Sequence, residues 1–285
     1  MIQRKISKIE TRHLRQGFLG PGHLAAAVID GNDFAQTDPF VLLMDDRLDL
    51  PGGPPVGGPH PHAGFETVTL VLEGSETGWQ TGTFELMTAG KGIIHTEEIT
   101  TETKMRILQL WLILPPEKRW AEPFFQDIKL EQVPTQKTEN SEIRVYSGNS
   151  NGLSSPIKNQ TPVTIVDFTL GKNFGVSQQL PASYNGFIYI IEGTVWIGAE
   201  KVEKDQVAWF GKTDQKGNSE IAFNAGEQGA RFVLYAGEPQ HAPIVSHGPF
   251  IGDTKEDIVR LYHEYNRGRI GHVKDLPATQ VLRHT

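Results

Sequence analysis

Pro59-His-Pro-His-Ala-Gly-Phe-Glu-Thr-Val-Thr69 and Leu86-Met-Thr-Ala-Gly-Lys-Gly-Ile-Ile-His-Thr-Glu97 decide the reading of this chain. Each places metal-binding side chains two positions apart: His60 and His62 in the first, His95 and Glu97 in the second. Alternate residues of an extended chain face the same side, so each pair can reach one ion. Pro61 stiffens the first pair and removes a competing donor. The Pro- and Gly-rich run Pro51 to Pro59 ahead of it reads as a loop. Glu66 has the same parity as the two histidines, so spacing alone leaves two carboxylates open. A strand rises about 3.3 Å per residue, which sets Glu66 roughly 13 Å from His62 but Glu97 about 7 Å from His95. Reach therefore favours Glu97, unless a bend at Gly64 brings Glu66 back.

Three imidazoles and one carboxylate form a borderline-hard donor set. It suits Fe(II), Mn, Ni, Co, Cu or Zn, and an octahedral ion on four protein ligands keeps two positions open. The other seven histidines, His13, His23, His241, His247, His263, His272 and His284, show no paired spacing and read as surface or ordinary hydrogen-bonding residues.

Around these motifs the chain is punctuated by 30 Gly and 18 Pro among 285 residues. Short runs rich in β-branched and aromatic residues lie between them: 67–72, 107–114, 163–166, 187–191, 206–210 and 230–235. Many such strands at short spacing predict sandwiches or barrels. One helix is expected near the C-terminus. Thr254 to Asp257 can cap its start, Ile258, Leu261, Tyr262 and Tyr265 recur at helical spacing, and Asn266 with Gly268 ends it. Leu70-Val-Leu-Glu-Gly74 matches Tyr189-Ile-Ile-Glu-Gly193 at an offset of 119 residues, as two similar barrels in tandem would produce. The polar stretch 135–160 contains the expected boundary, giving domains 1–135 and 136–285, with the helix and tail in the second.

A formal charge of −7 without a long single-sign run gives no footprint for nucleic acid. The basic stretch from Arg260 to Lys274 reads as a solvated helix face. The absence of cysteine excludes disulfides, zinc fingers, iron–sulfur clusters and thiol nucleophiles. No apolar run reaches membrane-spanning length, no signal-length run opens the chain, and a cytoplasmic protein is expected.

The two opening motifs resemble the metal motifs of the pirin family of cupins. Leu108-Gln-Leu-Trp-Leu112, Arg231-Phe-Val-Leu-Tyr-Ala-Gly-Glu-Pro239 and His247-Gly-Pro-Phe250 are similar to that family too, in the same order along the chain. The resemblance implies an all-β bicupin, two cupin barrels of jelly-roll type packed face to face with a short C-terminal helix. It implies one metal, usually iron, in the first barrel only, on His60, His62, His95 and Glu97. At the 119-residue offset Gln179 and Pro181 stand where His60 and His62 would.

Two activities are implied by the resemblance. One is a dioxygenase opening the ring of quercetin or a related flavonol with O2, with Glu97 also taking the substrate proton and Phe65, Met87 and Trp111 walling the pocket. The other is a non-enzymatic regulatory protein that binds a transcription factor or a metabolic enzyme. Two departures bear on the substrate. The segment between Gly74 and Met87 is shorter than the family's hairpin, and Ala63 stands where the family commonly has Arg, which would remove a cation at the pocket entrance.

Overall fold

The computed structural model describes residues 1–75 and 78–284. Almost every element is a strand, as the sequence predicts. The described residues form two compact units. One is built from Met1–His13, Val133–Lys158 and Pro162–Pro239. The other is built from Leu14–Gln132, Asn159–Thr161 and the segment from Gln240 onward. The units thus trade terminal segments, where the sequence predicts a single cut near residue 135 and a C-terminal helix in the second half. The physical reason lies in pairing: Ile6–Thr11 adds to Gln206–Phe210, and Val281–His284 adds to Phe124–Ile128.

The second unit carries both motifs. Its eight-stranded sheet runs in the order Val281–His284, Phe124–Ile128, Phe84–Thr88, Phe65–Glu73, Glu102–Ile113, Phe40–Pro51, His23–Ile29, Arg15–Gln16. The central strand Phe65–Glu73 is buried on both faces up to its last residue, which is why its sequence is a near-continuous run of apolar residues and threonines. In the register, Thr67 stands opposite Trp111 and Thr69 opposite Gln109, so Gln109 and Trp111 share one face.

The other unit holds a ten-stranded sheet whose main path is Thr135–Lys137, Ser141–Ser147, Val163–Leu170, Asn218–Gly237, Asn185–Ile197, Gln206–Phe210, Ile6–Thr11. Phe168, Phe210, Phe223 and Phe232 fill its core, with Phe168 and Phe232 stacked at 5.0 Å. Gln179 and Pro181 lie on the strand Gly175–Pro181 and are exposed.

The five-residue repeat has a structural counterpart. Glu73 lies opposite Arg106, and Glu192 lies opposite Arg231. Each arginine then forks onto a buried aspartate on the next strand. Arg106 reaches Asp45 with two bonds of 2.9 Å, and Arg231 reaches Asp167 with bonds of 2.9 and 3.3 Å. A forked guanidinium suits this task because it satisfies both carboxylate oxygens at once.

The helix forms where expected, over Lys255–Asn266. Thr254 and Asp257 make a reciprocal capping box. Gly268 follows with a left-handed backbone and donates to the Tyr265 carbonyl. The helix buries Ile258 and Leu261 against Ala63, Phe250 and Ile270. No described helix is long and apolar enough to cross a membrane.

Candidate metal centre

His60–His62 and Ile93–His95 pair as a two-stranded antiparallel ribbon, with His60 opposite His95 and His62 opposite Ile93. The two motifs are thus laid side by side, and their histidines fall on one face. The ring nitrogens of His60, His62 and His95 lie within 4.8 Å of one another. The Nε2 atoms of His95 and His60 are 2.8 Å apart, and those of His62 and His95 are 3.1 Å apart. Glu97 completes the group, its Oε2 lying 3.7 Å from His60 Nε2 and 4.0 Å from His95 Nε2.

Backbone geometry explains the convergence. The run before His60 does more than lead into the site: Val56 and Ile99 exchange backbone hydrogen bonds, and the Gly57 carbonyl accepts from the Glu97 N–H at 3.0 Å. Gly57 has φ +74°, and a Cβ there would meet the Glu97 carbonyl oxygen at 2.4 Å. After His62 the chain bends at Gly64, with φ +88°, and a Cβ there would lie 2.0 Å from the Ile251 carbonyl oxygen. That bend separates the ribbon from Phe65–Glu73, so His62 and Glu66 do not share one continuous strand. Glu66 is fully buried elsewhere. Its carboxylate accepts from Thr88 Oγ1 at 2.7 Å and from the Gln160 N–H at 3.1 Å.

With an unprotonated nitrogen on each ring, the separations of His60 and His62 from His95, about 3 Å, set lone pairs against one another unless a positive centre lies among them. His60 donates its Nδ1 proton to the Gly58 carbonyl at 2.9 Å, which fixes its tautomer and turns an unprotonated Nε2 toward the other rings. Metal–nitrogen bonds of about 2.0–2.1 Å at right angles put nitrogens roughly 3 Å apart, close to the separations observed. The donor set therefore fits a divalent cation. Burial and the neighbouring imidazoles hold His62 well below the usual range, with the Pro249 backbone as a minor opposing influence. The Nδ1 of His62 faces that backbone without a hydrogen bond of standard geometry. His95 is lowered to about 3 by burial, then by His60 and His272. These rings are neutral near pH 7, the form a metal requires. Burial pushes the Glu97 carboxyl up, opposed by His60 and by the hydrogen bond from Gln109.

Of the three predicted wall residues, two touch the centre. Phe65 and Trp111 stack at 4.4 Å, and their rings lie 5.2 and 5.3 Å from that of His62. Met87 instead packs with Ala89 and Ile93 in a separate cluster. Ala63 does not mark an entrance. It is fully buried beneath the C-terminal helix, because the residue after His62 points to the opposite side of the ribbon. Within the shortened segment Glu76 and Thr77 lie outside the described residues. Beyond them, Trp79 packs on Leu48, Val71, Met105 and Ile107.

The sequence reading did not find four supports of the site. Gln109 Nε2 donates to Glu97 Oε1 at 3.0 Å. The Gly58 carbonyl orients His60. Arg119, 0% exposed, donates to the carbonyls of Gly64 and Pro243 and pairs with Asp253 at 3.0 Å. The segment at Gly271–His272 holds the other ligand strand: Ile94 donates its N–H to the Gly271 carbonyl at 2.8 Å, and His272 meets Thr96 Oγ1 at 2.9 Å. Two of these signals were local: Gln109 lies in a quoted motif whose alternation faces it toward the cluster, and Gly58 is two residues from His60. The contacts of Arg119 and of Gly271–His272 are distant in sequence.

Comparison with known proteins bears on the family. A family model described as Pirin matches residues 27–112, and one described as Pirin C-terminal cupin domain matches residues 165–271. Pirin of Rattus norvegicus is 33% identical over 266 residues, covering 88% of this chain and 89% of that protein. A quercetin 2,3-dioxygenase from Acinetobacter baumannii has a TM-score of 0.80 at 25% identity, over 94% of this chain and 98% of that one. The bacterial pirin YhhW of Escherichia coli, solved in complex with nickel(II), has a TM-score of 0.60 at 19% identity, over 81% of this chain and 99% of that one. The last bears on the fold alone. With the all-β architecture in two units and the sequence identity over most of the chain, the protein belongs to the pirin family and has its two-domain cupin fold.

Proposed function

We propose that the protein is a metal-dependent dioxygenase that opens the ring of quercetin or a related flavonol with O2, with one divalent metal, Fe(II) foremost, held by His60, His62, His95 and Glu97. The observation that carries this is the convergence of three imidazole nitrogens and one carboxylate oxygen beside an aromatic wall. The ion would supply Lewis acidity that lowers the pKa of a flavonol hydroxyl. The protein supplies the rest. Trp111, partly exposed, offers apolar surface to a planar aromatic ligand, and the buried Phe65 stacked behind it keeps water from the inner side of the site. Glu97 would ligate the ion through Oε2 and, on leaving it, take the hydroxyl proton, a role that its upward-shifted carboxyl suits. The likeness to the Acinetobacter enzyme supports the substrate class. Absence of cysteine fits a reducing compartment, and the cytoplasm is the proposed one.

The test is oxygen uptake by the Fe(II)-loaded protein with quercetin, alongside elemental analysis. One metal per chain and stoichiometric O2 consumption are expected. No uptake across several flavonols by a fully loaded protein would refute the enzymatic reading. A protein partner lost on metal removal would then speak for the regulatory one.

A further inference from the structure

The two oxygens of Glu97 face different neighbours. Oε1 accepts from Gln109 Nε2 at 3.0 Å, while Oε2 lies 3.7 Å from His60 Nε2 and 4.0 Å from His95 Nε2. Gln109 sits in the middle of Glu102–Ile113, paired with Thr69 on one side and Met44 on the other. Its backbone is held in the ladder on both sides, so the amide is presented from a fixed point. The Glu97 backbone is held too, by its N–H on the Gly57 carbonyl. Between two anchored backbones, the side-chain torsions remain, and the hydrogen bond from the Gln109 amide restrains the rotation of the carboxylate.

A carboxylate free to rotate can attach to a cation through one oxygen or both. Attachment through both would fill one of the positions that substrate and O2 need. On the metal reading given above, we infer that Gln109 is a positioning residue that holds Glu97 Oε1 away from the ion, so that Glu97 attaches through Oε2 alone. An amide does this better than a cation or an acid in the same place. It donates one N–H without bringing a charge to a group of neutral rings and one carboxylate.

The test uses Co(II), whose visible bands report coordination, with affinity measured by chelator competition on the full chain. The proteins are wild type, Gln109→Leu, Glu97→Gln and the double variant. Leu keeps the bulk of the side chain and removes the donor. Gln109→Leu is expected to weaken Co(II) binding by about 10-fold, the low end for loss of a group orienting a ligand, and to change the visible spectrum. Added to Glu97→Gln, the same change is expected to cost nothing further, because its action runs through Glu97. A Gln109→Leu loss that simply adds to that of Glu97→Gln would overturn the inference, as would no loss at all. Glu97→Gln binding Co(II) like wild type would instead overturn the ligand assignment of Glu97. Should Gln109→Leu fail to fold, Gln109→Asn withdraws the donor by one methylene with the same expected outcome.

Discussion

Replacing Arg119 by Met would leave the metal ligands in place while removing a support beneath them. Arg119 is a fully buried guanidinium that donates to the Gly64 carbonyl at 3.1 Å and the Pro243 carbonyl at 3.3 Å, and pairs with Asp253 at 3.0 Å. Met has a similar length, so little cavity is created, but two carbonyls and one carboxylate lose their donor. Breaking a buried pair from one side costs about 3–5 kcal/mol. Asp253 keeps 28% of its side chain exposed, so water recovers part of its interaction and the lower figure applies. For a unit of this size, about 3 kcal/mol corresponds to a fall in Tm of roughly 6–12 °C. Gly64 ends the ribbon that carries His60 and His62, so chelator competition should also show weaker metal binding. Thermal unfolding followed by circular dichroism, with and without metal, reads both effects. A Tm within 2 °C of wild type and an unchanged affinity would refute the claim that Arg119 supports the ribbon.

Three further outcomes follow from the site. His95 titrates near 3 when folded against 6.5 for the free side chain, so its neutral form is fully in place above pH 6.5 and the stability tied to it is lost as pH falls from 6.5 toward 3; metal-free protein should show Tm falling across that window, less steeply in His95→Gln. Glu85 has the opposite sign, because burial and the nearby Glu97 and Asp127 raise its pKa to about 8, so stability is lost as pH rises from 4.5 through 8. Glu85→Gln should therefore raise Tm at pH 9 and leave it unchanged at pH 4, measured by scanning calorimetry. Glu66→Gln should leave metal content unchanged by elemental analysis, whereas Glu97→Gln should lower it and abolish turnover; the reverse result would reassign the ligand carboxylate.

The strands were legible because their composition is local. Gln206–Phe210 begins and ends where the β-branched and aromatic run does, and Phe65–Glu73 extends the predicted run by a few residues. That the side chains of each pair share a face was legible for the same reason, since a spacing of two in an extended segment is itself a geometric statement. The pairing of the two motifs was not, because nothing local says that His60 lies opposite His95. Ala63 shows the limit of reading a single position. Its small side chain reflects the helix packed over it, and that helix lies about 190 residues further along the chain. Arg119 was silent for a related reason: a buried arginine and an exposed one look alike until Gly64, Pro243 and Asp253 are brought to it.

The exchange of terminal segments sets an order of events during synthesis. Both candidate ligand pairs leave the ribosome long before the residues that hold their strands, since Gly271 and His272 come some 176 positions after His95. At about 5–20 residues per second, that interval is roughly 9–35 s. For most of it the ribbon lacks the hairpin at 245–252 and the Asp253 partner of Arg119, and to its end the bond from Ile94 to Gly271. The nascent first barrel thus carries its ligands without the clamps on them, and the ligand strands reach their final form only after the second barrel has been made. On the proposed metal reading, capture of the ion would be tied to completion of the chain, and a prematurely terminated product would hold it poorly.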